Sequence, residues 1–223
     1  MLIRYAYFYI NQLSVVRNKL KIRESEERKE IMRDIIMNLK LPQETKDFLL
    51  KTKIEKDEFQ DINIKFFNKE HGVLCDVVEW TKINDSTVTN LDEKFVSEFL
   101  KDLEKFRSYY VVADNLDSGN LIAIQEVTGE IYELEHEVIE EVVTYFVNSS
   151  FSKFHESMNY FKKMKNEILK LKEEENVEEI EALFEKAEKE LSLIDRKVII
   201  NDDEDNMQFW NGVLGNFREW CLE

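Results

Sequence analysis

The feature that most constrains this chain is a change of hydrophobic period near residue 148. Before it, "SYYVVAD", "NLIAIQEV", "EIYELEH" and "EVVTYFV" are four short β-prone runs, separated by "NLDSG", "TG" and a few acidic residues. Connections of that length join antiparallel neighbours, because a parallel crossover needs a dozen or more residues. After it, "NSSFSKFHESMNYFKKMKNEILKL" returns Phe151, Phe154, Met158, Phe161, Met164, Ile168 and Leu171 every three or four positions. That is the period of a helix buried along one stripe. Asn148, Ser149 and Ser150 are candidates to cap it. "VEEIEALFEKAEKELSLI" repeats the stripe at Val177, Ile180, Phe184, Ala187, Leu191 and Ile194. "NDDEDNMQFWNGVLGNFREW" places Trp210, Val213 or Leu214, Phe217 and Trp220 in register. A meander followed by helices is an α+β arrangement and argues against a βαβ parallel sheet.

Upstream, "RESEERKEIMRDIIMNL" is charged and then apolar at Ile31, Ile35 and Leu39, which suits an amphipathic helix. Pro42 opens a further helix expected to turn Phe48, Leu49 and Leu50 to a core. "DINIKFF" alternates Ile62, Ile64 and Phe66 as a strand, and "GVLCDVVEW" reads as a second, with Leu74, Val78 and Trp80 on one side. Leu91, Phe95, Phe99, Leu103 and Phe106 recur at helical spacing. The expectation is an antiparallel curved sheet of about six strands with N-terminal and C-terminal helices packed on it. One Pro and five Gly are too few for a sandwich or barrel of many tight turns. No Pro-rich or Gly/Ser-rich linker marks a boundary, so residues 1–223 read as a single domain, with 1–38 as a helical extension and 39–220 as the core.

Charge narrows the partners. Asp and Glu total 47 against 31 Lys and Arg, a net −16. Affinity for the phosphate backbone comes from Lys and Arg displacing counterions, so nucleic acid is not an expected partner. Anionic lipid is disfavoured for the same reason, and no stretch approaches the roughly 20 apolar residues of a membrane span. "LIAIQEVTGEIYELEHE", Leu121 to Glu137, reads as a half-buried hairpin, and seven carboxylates fall on it if it is extended to Glu141. Those charges are either the solvated side of a sheet or a face shaped for a basic protein, since complementary potentials raise encounter rates. Glu130, Glu133, Glu135 and Glu137 on the hairpin, with Asp202, Asp203 and Glu204 near the C-terminus, are the candidate partner-binding residues. The Glu-rich run from Glu173 to Glu190 reads as the solvated side of a helix.

Motifs for chemistry are sparse. His71, His136 and His155 are isolated from one another in sequence, with no HExxH or His–Cys cluster, and His155 is expected on the polar side of its helix. No glycine-rich phosphate loop and no GxSxG elbow occurs. No metal, cofactor or catalytic residue is therefore assigned, and no enzymatic activity is expected. Cys75 and Cys221 lie far apart without a CxxC spacing, which fits free thiols in a reducing, cytoplasmic compartment.

The order of the pieces resembles the SUKH superfamily, the Smi/Knr-like proteins. "LKLPQETKDFLLKTKI" followed by "INIKFF" is similar to the family's opening helix and first strand. "YYVVADNLDSGNLIAIQEVTGEIYELEHE" resembles its central strands, and "FVNSSFSKFHESMNYF" its strand-to-helix passage. "LIDRKVI" and "MQFWNGVLGNF" resemble its closing segment. The likeness runs from about Leu39 to Trp220; "NSSFSKF" and "QFW" are its most specific pieces. The chain departs at Lys53, where the family usually has Gly, and in its first thirty-odd residues. The resemblance implies a SUKH-like fold and a non-catalytic immunity protein that neutralises a cognate toxin, a basic nuclease or a deaminase, by direct binding. A regulatory interaction scaffold without a toxin is the alternative the family offers.

Overall fold

The computed structural model describes residues 30, 33–52, 57–66, 74–84, 93–135, 144–198 and 208–223. The chain divides into two compact units, Met1–Leu39 and Lys40–Glu223. In the first, residues 33–38 are helical, and the buried side chain is Ile36, while Ile35 is exposed. In the second, the elements run α1 (Gln43–Lys51), β1 (Ile64–Phe66), α2 (Val77–Asn84), α3 (Glu93–Leu103), β2 (Tyr109–Asn115) and β3 (Leu121–Gln125). They continue with β4 (Ile131–Leu134), β5 (Thr144–Asn148), α4 (Phe151–Glu173), α5 (Val177–Ile194) and α6 (Phe209–Leu222).

The sheet has five strands in the order β1-β2-β3-β4-β5, every pair antiparallel. Among the described residues the expected sixth strand does not form. Of its described residues, 74–80, only Asp76 pairs, by a single bridge to Tyr110, flanked by Leu74 N–H donating to the Val111 carbonyl at 2.8 Å. Asp76 Oδ1 then accepts the Glu79 backbone N–H at 3.0 Å and opens α2, which buries Val77, Val78 and Thr81. Asp followed three positions later by Glu is a helix-start pattern. In a run this short it outweighs the β-propensity of two valines.

Both faces of the sheet are covered, which corrects the reading of a half-buried hairpin. On one face Val111, Leu121, Ala123 and Leu134 pack with Val77, Val78, Leu103 and Phe106 from α2 and the α3 end. Strand alternation sends Ile122, Ile124 and Ile131 to the opposite face, and all three are inaccessible to solvent. On β1, Phe66 meets the rings of Phe151 and Phe154 from α4 at 6.2 and 6.3 Å. The α4 stripe is buried as its period predicts from Phe151 to Ile168. In α5 the stripe starts one turn late: Val177 is exposed, and Ile180, Phe184, Ala187 and Leu191 are buried. Helix α1 buries Thr45 and leaves Leu50 exposed, so its apolar triplet does not enter the core as a block.

The β3–β4 turn holds this arrangement to α1. Gln125 Oε1 accepts from the backbone N–H groups of Val127 and Thr128, and Gly129 completes the turn at φ +72°. A β-carbon at Gly129 would lie 2.8 Å from Thr45 Oγ1 and 3.0 Å from Pro42 Cγ. Gly119, at φ +75° in the β2–β3 turn, has open space around it. Gly129→Ala is therefore expected to cost about 1–3 kcal/mol from backbone strain plus the displacement of α1. Gly119→Ala should cost only the backbone part, so urea unfolding should rank Gly129→Ala as the less stable.

Candidate functional site

Segments far apart in sequence converge on one buried polar node. The Ser150 hydroxyl caps α4 by accepting the Lys153 N–H, which leaves Asn148 and Ser149 free for other partners. Those partners come from the end of α5: Asp195, 1% exposed, accepts from the Ser149 backbone N–H, from the Ser149 hydroxyl at 2.9 Å and from the Asn148 amide at 3.3 Å. Lys153 Nζ approaches the same carboxylate at 3.3 Å. Asn148, itself fully buried, uses its amide oxygen to accept the Trp210 indole N–H at 3.1 Å. Burial pushes the Asp195 pKa up, but the hydrogen bonds from Ser149, the Lys197 backbone and Asn148 outweigh it, and the carboxyl sits below its ordinary value.

Trp210 is also a wall of a cavity of about 990 Å³ between one end of the sheet and helices α4 and α6. Its polar side is built by β2, β4 and the turn after β2. Asn63, in the left-handed region at φ +62°, donates to Asp117 Oδ1 at 2.6 Å and ties the segment before β1 to that turn. Glu133 on β4, only 6% exposed, accepts from Asn115 Nδ2 at 2.8 Å and from Ser118 Oγ at 2.6 Å. The apolar side is aromatic. Phe161 meets the Trp210 ring at 5.9 Å and the Phe217 ring at 5.8 Å, and Phe217 stacks on Trp220 at 5.9 Å. Lys165, which also lines the cavity, has its Nζ 5.7 Å from the Phe217 centroid, and Lys172 Nζ, bonded to the Trp220 carbonyl, lies 4.2 Å from the Trp220 centroid. A carboxylate lining a cavity that also has an aromatic wall attracts cations by both charge and quadrupole.

The three described hairpin carboxylates, Glu130, Glu133 and Glu135, have different surroundings. Glu130 pairs with Lys197 and accepts the Tyr132 hydroxyl at 3.0 Å; the lysine first, and then the tyrosine, hold its carboxyl below its usual value against burial. Glu133 is buried in the cavity, and Glu135 is half-buried and accepts the Tyr145 hydroxyl at 3.3 Å. Glu137, Asp202, Asp203 and Glu204 lie outside the described residues, as do His71 and His136. His155 is not on a polar side of α4: its ring sits 5.7 Å from Phe48 and 5.5 Å from Phe59, with Glu58 at 3.5 Å. Both cysteines are free thiols, and burial, then the charge of Asp76, pushes Cys75 up to about 11.

Sequence reading missed the cavity because its parts, turn and strand-end polar residues and helix-stripe aromatics, are ordinary types at distant positions. The one available signal was Glu133 itself. It shares a strand face with Ile131, and a charged residue on an apolar face must find partners. Among the described residues no group of His, Cys, Asp and Glu could hold a metal ion, and no helix is long and apolar enough to cross a membrane. Comparison of the chain with protein-family models, with curated proteins and with solved structures found no match.

Asp195→Ala strands its buried donors and is expected to cost about 3–5 kcal/mol at neutral pH by urea unfolding. The pH dependence has a definite sign. A lowered folded-state pKa gives stability that is full above the unfolded value of about 3.9 and is lost as pH falls through the folded value. The Asp195→Asn variant lacks this component. Its stability deficit relative to wild type should therefore narrow between pH 5 and the acid limit of folding.

Proposed function

We propose that this protein is an immunity protein: a cytoplasmic antitoxin that binds a cognate bacterial toxin, a nuclease or deaminase, and occludes its substrate site. The observation that carries the proposal is the size and placement of the negative charge. The chain bears a net −16, and Glu173, Glu174, Glu175, Glu178 and Glu179 are all exposed around the connection from α4 to α5. A toxin that acts on nucleic acid is itself basic, and a strongly acidic protein is steered to the channel its substrate would occupy. The resemblance to SUKH proteins points to the same role. "NSSF", "LIDR" and "QFW", pieces of that resemblance, supply the residues of the buried node.

Occlusion needs no chemistry from the inhibitor; it needs a rigid surface that reaches the toxin faster than substrate does. The exposed glutamates provide the long-range attraction, and the covered sheet provides rigidity. The test is growth rescue: the toxin domain encoded beside this gene is expressed in a sensitive host with and without this protein. Survival with co-purification of the pair is expected, and the association rate should fall at least about tenfold from 50 to 300 mM salt. Death of the host despite soluble protein and active toxin would overturn the proposal and favour the regulatory scaffold.

A further inference from the structure

We propose that the cavity between the sheet end and helices α4 and α6 receives an arginine side chain of the partner protein, with Glu133 as its anchor. This inference deepens the toxin-binding proposal and rests on it for the identity of the partner. The geometry is specific. Glu133 is buried among neutral donors, Asn115 and Ser118, both of which bind its Oε1, and among the described residues it has no ion-pair partner of its own. A buried carboxylate without a cation is costly, and an incoming guanidinium would supply the missing charge.

The walls select the kind of cation. Trp210, Phe217 and Trp220 line one side, and Lys165, which lines the cavity with them, already sets its ammonium 5.7 Å from the Phe217 centroid. Asn63, Asn115 and Asn120 line the other, placing amide groups near the carboxylate. A planar fork with five donors fits carboxylate and carbonyl acceptors together and stacks on an aromatic face, whereas an ammonium is a point charge. An arginine can lay its apolar stem along the rings while its charged head turns to the polar side. A basic partner drawn in by the net −16 presents such side chains.

The test uses the full chain and needs no toxin. The tryptophan indole signals in a ¹H–¹⁵N spectrum are followed during titration with Nα-acetyl-arginine-N-methylamide and with its neutral isostere, the citrulline derivative. The Trp210 and Trp220 signals should shift saturably with the arginine derivative, at least tenfold more tightly than with citrulline, while Trp80, on the other side of the sheet, stays still. Glu133→Gln retains the oxygen that Asn115 and Ser118 bind, so its free spectrum should match wild type, yet its arginine affinity should drop to the citrulline level. Absence of saturable shifts, equal affinity for the two derivatives, or unchanged affinity in Glu133→Gln would each overturn the inference. Because rescue and titration are separate measurements, a failed titration beside successful rescue removes only the arginine pocket. A failed rescue beside a positive titration removes only the toxin.

Discussion

The hydrogen bonds gathered by Asp195 are the interaction on which the rest of this structure depends. A carboxylate 1% exposed to solvent is tolerable only while its donors stay in place. Those donors belong to the end of β5, the start of α4 and the backbone beyond α5, and Asn148 passes the same constraint on to Trp210 at the start of α6. Hydrophobic contact alone would let α4, α5 and α6 slide on the sheet, since burial is nondirectional. The node fixes their register, because every member is either satisfied or stranded.

That fixed register has consequences at the cavity. The Trp210 ring is held by its indole bond to Asn148 and meets Phe161 edge-to-face, and Phe161 in turn meets Phe217. Across from them, Glu133 is held by Asn115 and Ser118, so both sides of the cavity are preorganised before any partner arrives. For the binding role proposed above, such preorganisation would remove the ordering cost from the binding step. The exposed glutamates at the α4–α5 connection act at longer range and are weakened by salt, whereas a buried contact such as Glu133 is not screened in the same way.

Much of the fold was legible in the sequence, for reasons that can be traced to particular residues. The meander from β2 to β5 was readable because its turns are short, and α4 because its apolar stripe holds its period from Phe151 to Ile168. The strand expected in "GVLCDVVEW" failed because two adjacent valines suit either period, and the deciding signal, Asp76 capping Glu79, is a single hydrogen bond. The hairpin was read as half-buried because alternation was taken as inside against outside, when the second sheet face is covered as well. Glu130 and Glu133 were legible as charges but not as partners, since Lys197 and Asn115 reach them only through tertiary structure. The node was visible only as loose fragments, "NSS", "ID" and "FW"; nothing in their spacing says that they meet.

The most direct test of the node's role is native-state hydrogen exchange at the Trp210 indole N–H. If the node locks α6 to the sheet, that proton should exchange only through global unfolding, with an opening free energy equal to that from urea denaturation. Exchange at a free energy lower by more than about 2 kcal/mol would mean that α6 opens on its own, a sub-global event of the kind native proteins undergo. That result would contradict a locking role for Asn148 and Asp195.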